Sequence, residues 1–115
     1  MLALDELRKW SLSMRKAEFK ELCERKKAVN NKVNSLSKLL KEEIQAINPR
    51  FRSHIRLVVI YADYSRLMRN VYVGFKSCVS TAIVKQALDN LGVDYDGYIE
   101  FDKDANLFCF NYKLS

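Results

Sequence analysis

From Leu2 to Ile47 the chain contains neither proline nor glycine, and residues that favour helix dominate. Apolar side chains at Phe19, Leu22, Val29, Val33, Leu36, Leu40, Ile44 and Ile47 recur at steps of three, four and seven. That spacing gathers them in one sector of a helical wheel, the signature of an amphipathic helix. Leu7, Trp10 and Met14 fall on another sector. A break or a separate short helix is therefore expected around Ser11–Ser13, with Ser13 as N-cap, and Asn30-Asn31 is a second weak point. Asn48-Pro49 ends the helix, because proline disfavours helical geometry in the residue before it.

Length then constrains assembly. A helix from Ser13 to Ile47 runs roughly 50 Å at the usual rise per residue. The remainder of the chain makes a head only roughly 25–30 Å across by compact-domain scaling. The stripe must fold back near Asn30-Asn31 or pair with a second copy, so a homo-oligomer is expected. As a heptad seam it reads Leu12, Phe19, Lys26, Val33, Leu40, Ile47 and Arg15, Leu22, Val29, Leu36, Glu43. The charges at Lys26, Arg15 and Glu43 weaken a strict coiled coil.

The second half carries shorter signals. Ile55–Ala62 is β-branched and apolar on both faces, which predicts a central strand. Asp63–Asn70 is a polar connection, and Val71–Phe75 alternates as a second strand. A helix is expected over Cys78–Leu91, with Val79, Ala82, Ile83, Ala87 and Leu91 inward and Gly92 as its cap. Tyr98–Asp102 and Leu107–Lys113 form a hairpin across Lys103-Asp104-Ala105-Asn106. The expected fold is α+β. A long N-terminal amphipathic helix (residues 1–48) precedes a β-β-α-β-β head (residues 49–115) with a mostly antiparallel four-stranded sheet. At 115 residues the two parts make one domain.

Several function classes are disfavoured. The longest apolar run, Leu57–Ala62, is far short of the ~20 residues of a membrane span, so no membrane partner is expected. Met1-Leu2-Ala3-Leu4-Asp5-Glu6 lacks the basic start of a secretory signal. Cys23, Cys78 and Cys109 are odd in number, widely spaced and free of any C-x-x-C pair. They suit a reducing, cytoplasmic setting better than a disulfide framework or a zinc site. His54 is the single histidine and has no catalytic motif around it, and no phosphate-loop, dinucleotide or nucleophile-elbow pattern occurs. Neither enzymatic activity nor a cofactor is expected.

Charge is the informative property. The net +6 belongs to residues 1–52, which hold thirteen Lys and Arg against seven acids. Residues 53–115 balance, yet Asp89–Asp104 concentrates six acids with Lys103 alone against them. The chain is electrically two-ended, and partner choice follows that polarity. Lys9, Lys16, Lys20, Lys27 and Lys38 share a wheel sector roughly 40° wide, nearly opposite the apolar stripe, with Lys41 beside it. Such a row can track a phosphate backbone, and Arg50 and Arg52 add positive charge nearby. The competing reading is an ordinary solvated face bordered by Glu6, Glu24 and Glu42.

Two weaker patterns accompany it. Asp94-Tyr95-Asp96-Gly97-Tyr98-Ile99-Glu100 imitates the middle of a calcium loop, but the twelfth position, which should be a bidentate glutamate, is Lys103. An acidic turn entering a hairpin accounts for it better. Phe108, Phe110 and Tyr112 are expected in the core with Ile99 and Phe101, whereas Tyr61, Tyr64, Tyr72, Tyr95 and Tyr98 should reach the surface. The element order resembles half of a LAGLIDADG homing endonuclease, but the acidic helix motif that supplies that family's metal ligand is absent. Met14-Arg15-Lys16-Ala17-Glu18-Phe19, a basic helix and a later strand-rich head are similar to the coronavirus polymerase-accessory subunit in too few residues to imply a family.

The sequence thus points to a non-enzymatic binding or regulatory protein, dimeric, engaging DNA or RNA through the lysine row with little base specificity. Its contact residues are Lys9, Lys16, Lys20, Lys27, Lys38, Lys41, Arg50 and Arg52. The alternative is a protein-interaction module such as an assembly factor, adaptor or inhibitor. There the seam of Phe19, Leu22, Val29, Val33, Leu36 and Leu40 docks a partner.

Overall fold

The computed structural model describes the backbone of residues 4–50, 54–62 and 70–114, with side chains from residue 15 onward. It is an α+β fold in which one long helix precedes a four-stranded antiparallel sheet and a second helix. Helix α1 spans Leu4–Ile47, 44 residues without interruption. The breaks expected at Ser11–Ser13 and Asn30-Asn31 do not occur. A serine or asparagine costs a helix interior only a few tenths of a kcal/mol, too little to open it. The helix stops at Asn48, whose N–H donates to the Ile44 carbonyl at 3.1 Å, and the Asn48 side chain then caps the turn by accepting the Arg50 N–H at 3.0 Å.

Strands β1 (Arg56–Ala62) and β2 (Asn70–Lys76) pair antiparallel. Helix α2 (Thr81–Asn90) follows, then β3 (Glu100–Asp102) and β4 (Leu107–Lys113), giving the spatial order β1-β2-β4-β3. The last strand inserts between β2 and β3, so those two run parallel and α2 is the crossover between them. Gly92 closes α2 as expected. It takes a φ of +68°, its N–H reaches the Asp89 carbonyl, and the Val93 N–H reaches Leu88. The β3–β4 turn is held by Asp102, which accepts the N–H groups of Asp104 and Ala105, while Asn106 adopts a left-handed φ of 54°.

Both helices lie on one face of the sheet. Val29, Val33, Leu36, Leu40 and Ile44 of α1 meet Val84, Ala87 and Leu88 of α2 over Leu57, Val71, Val73, Phe75 and Phe110. The aromatic part of this core is a contact chain: Phe75 lies 5.9 Å from Phe108 and 6.1 Å from Phe110, and Tyr95 meets Phe110 edge-on at 5.8 Å. Tyr95 is therefore buried, contrary to its expected surface position, and its hydroxyl donates to Asp89 at 3.1 Å. Tyr64 falls outside the described residues.

Strand β1 is an edge strand, not the central one its composition suggests. Two features account for the discrepancy. Its inward residue Leu57 packs under α1, and its outward residues Val58 and Ile60 lie on a sheet face that no helix covers. The free edge is guarded by α1: the Ser37 hydroxyl accepts the Leu57 N–H at 2.9 Å, standing in for the absent neighbouring strand.

Candidate functional site

The core uses only the last part of α1. Val29 to Ile44 supply its buried side chains, while Phe19 and Leu22, which continue the same stripe, are 68% and 46% exposed. The molecule measures 71 × 26 × 22 Å, and the long dimension is the helix extending past its head as an arm. This divides the predicted partner seam. Val29, Val33, Leu36 and Leu40 are consumed by the chain's own core and are not available as a docking surface, because sheet and α2 together complete their burial. Phe19 and Leu22 alone remain outward.

Lys16, Lys20, Lys27, Lys38 and Lys41 are all exposed. Because the helix is unbroken, they form one straight line of about 38 Å from Lys16 to Lys41. Lys9 lies on the same helix ahead of the described side chains, and Arg52 lies outside the described residues. Arg50 is exposed on the turn directly after α1. The row therefore unites the helical lysines, and Arg50 follows them off the helix.

Beside the row runs a groove of about 480 Å³ between α1 and the edge of β1, lined by Lys26, Asn30, Asn34, Arg56 and residues 57–60. Sequence reasoning missed the pairing of Arg56 with this helix face. The i, i+4, i+8 spacing of Lys26, Asn30 and Asn34 was visible, but nothing local says which strand lies against it. A second groove, of about 510 Å³, opens on the other flank of α1, with Leu39, Lys32, Val93 and Tyr112 in its walls.

The acidic segment is engaged locally. Asp96 pairs with Lys113 at 3.3 Å and accepts the Asn111 amide at 3.0 Å. The Asn111 hydrogen bond and the Lys113 ammonium hold its carboxyl below the ordinary aspartate value of 3.8. Among the described residues no group of three or more His, Cys, Asp or Glu is placed to hold a metal ion. Tyr72 and the buried Cys109 thiol share a hydrogen bond on the uncovered sheet face; burial, followed by that bond, pushes the Tyr72 phenol up to about 12. His54 is exposed at the mouth of β1. No described helix is long and apolar enough to cross a membrane. Compared with known proteins, the chain matches no family model, no curated protein and no solved structure.

Proposed function

We propose that this chain is a non-enzymatic binding protein, acting as a dimer, that engages the backbone of DNA or RNA through the lysine row of α1 with little base specificity. The observation that carries this reading is the unbroken helix. It aligns Lys16, Lys20, Lys27, Lys38 and Lys41 on the side opposite the residues that pack on the head. The groove beside the row adds Lys26 and Arg56 as cations and two asparagine amides as neutral donors to phosphate or sugar. No element of the described structure offers a base-reading helix with a cluster of arginines, so the reading is of backbone contact.

The test is titration of a labelled duplex and a labelled single strand at several salt concentrations. A Lys16→Glu/Lys20→Glu/Lys27→Glu/Lys38→Glu chain should keep the parent circular dichroism and bind at least about a hundredfold more weakly. The slope of log affinity against log salt should flatten by about 0.9 for each duplex phosphate that is no longer neutralised. Unmodified protein that shifts no oligonucleotide at low salt would refute the proposal. The protein-interaction reading keeps support from one observation, the outward Phe19 and Leu22. There the arm docks a protein and the lysines serve solubility.

A further inference from the structure

The two flanks of α1 differ in charge. From residue 15 onward, a sector about 120° wide, running from Lys26 through Asn30 and Asn34 to Lys38, holds every lysine of the helix except Lys32. Glu18, Glu21, Glu24, Glu42 and Glu43 all fall outside it. Lys26, Asn30 and Asn34 turn this flank toward β1, where Arg56 closes the groove from the other side. The acids of the sheet strands, Glu100 and Asp102, stand on β3 at the far edge, with β2 and β4 between. Among the described residues, the edge made by α1 and β1 is cationic and free of acids.

Two features of β1 are not explained by the fold. Arg56 stands directly opposite Lys76 of β2, and like charges so placed oppose strand pairing. No acid among the described residues pairs with either. At the other end of the strand, about 16 Å away, Tyr61 is 70% exposed beside Tyr72. Tyr72 is anchored by its bond with Cys109, but among the described residues Tyr61 makes no ring contact and no side-chain hydrogen bond. Both features look the same way. The cross-strand partners Lys76 and Tyr72 alternate with the buried Val71, Val73 and Phe75, so Arg56 and Tyr61 share the uncovered face.

The free edge of β1 is a poor template for a peptide strand. Ser37 occupies the Leu57 N–H, and the register shifts between Val59 and Tyr61. An occupant is therefore held by side chains. Ammonium, guanidinium, amide and phenol groups are the set that takes phosphate, sugar and base. A duplex keeps its bases stacked and paired and offers no free face to a tyrosine, whereas a single strand does.

We infer that the nucleic acid bound by this chain is single-stranded and runs along β1. Its phosphates lie between Lys26 of the groove and the Arg56–Lys76 pair, and a base stacks on Tyr61. This rests on the nucleic-acid reading of the lysine row and narrows it to one class of strand.

The test titrates labelled oligothymidylate, labelled oligouridylate and the thymidylate strand annealed to its adenylate complement against the full chain, at several salt concentrations. At least one single strand should bind about tenfold or more tightly than the duplex, and the one that does names the sugar. Tyr61→Ala should weaken that binding about tenfold and leave the salt slope and the duplex affinity as in the parent, while Tyr61→Phe restores it. Arg56→Gln/Lys76→Gln should weaken it too, flattening the salt slope by about 0.7 for each phosphate no longer neutralised. That variant should melt no lower than the parent, because the like-charge pair is gone. A duplex bound as tightly as either strand, or Tyr61→Ala binding single strands like the parent, would overturn the inference. The lysine row would keep its role if binding still fell in the lysine-to-glutamate chain. Polyglutamate displacing the strand at equal charge would also overturn it, assigning the edge to an acidic peptide. Failure to bind any oligonucleotide would remove both readings.

Discussion

At the scale of single residues, polar groups are bound to local tasks that the backbone creates. Ser37 serves an edge N–H, Asp102 a tight turn, and Tyr95 ties the loop after α2 back to Asp89. Tyr95 yields a pH prediction. Burial first, then its hydrogen bond to Asp89, pushes its phenol up to about 12 from 10.0. The folded chain holds this proton more tightly than the unfolded chain, so its contribution is complete below pH 10 and is lost as pH rises toward 12. Denaturant melts should show Tyr95→Phe about 1 kcal/mol less stable than the parent at neutral pH. That gap should shrink above pH 10, and alkaline absorbance should show one late-titrating tyrosine fewer. A gap that widens with pH contradicts the assignment.

At the scale of elements, α1 is two things in one helix. From Val29 to Ile44 its stripe is core, and from Arg15 to Lys27 every apolar side chain is outward or half-covered. Equal substitutions along one stripe should therefore have unequal costs. Leu40→Ala leaves a cavity between sheet and helices and should cost about 2–5 kcal/mol of folding stability. Leu22→Ala should cost under about 0.5 kcal/mol when the protein is dilute enough to be monomeric. Urea melts of both variants at low concentration check the pair; similar losses would mean the arm packs on its own head. Strand β1 obeys the same rule. It looks central because both its faces are apolar, yet one face meets α1 and the other is an open apolar surface.

At the scale of the whole molecule, helix and head share one core, so the boundary near residue 48 is one of composition and not of folding. Five α1 side chains, Val29, Val33, Leu36, Leu40 and Ile44, complete it. Their burial is worth about 10 kcal/mol, comparable to the whole stability of a domain. Residues 49–115 alone should show no cooperative melt, while residues 25–115 should melt within a few degrees of the parent and lose the arm-dependent binding. Calorimetry of the two fragments checks this.

What the sequence determined by itself is whatever depends on near neighbours along the chain. The 3.6-residue period of α1, its stop at Asn48-Pro49, the Gly92 cap and the strand alternation are local, so helix, head and lysine row were legible in the order of residues alone. The exposure of Phe19 and the burial of Val33 were not, because both obey the same period. Only the docking of the sheet decides where the stripe stops being core. Strand order, the guarding of β1 by Ser37, the burial of Tyr95 and the uncovered face of Val58 and Ile60 are decided at that same level. Each depends on which distant segment arrives alongside, a choice made by total burial across the molecule and carried by no short stretch of chain.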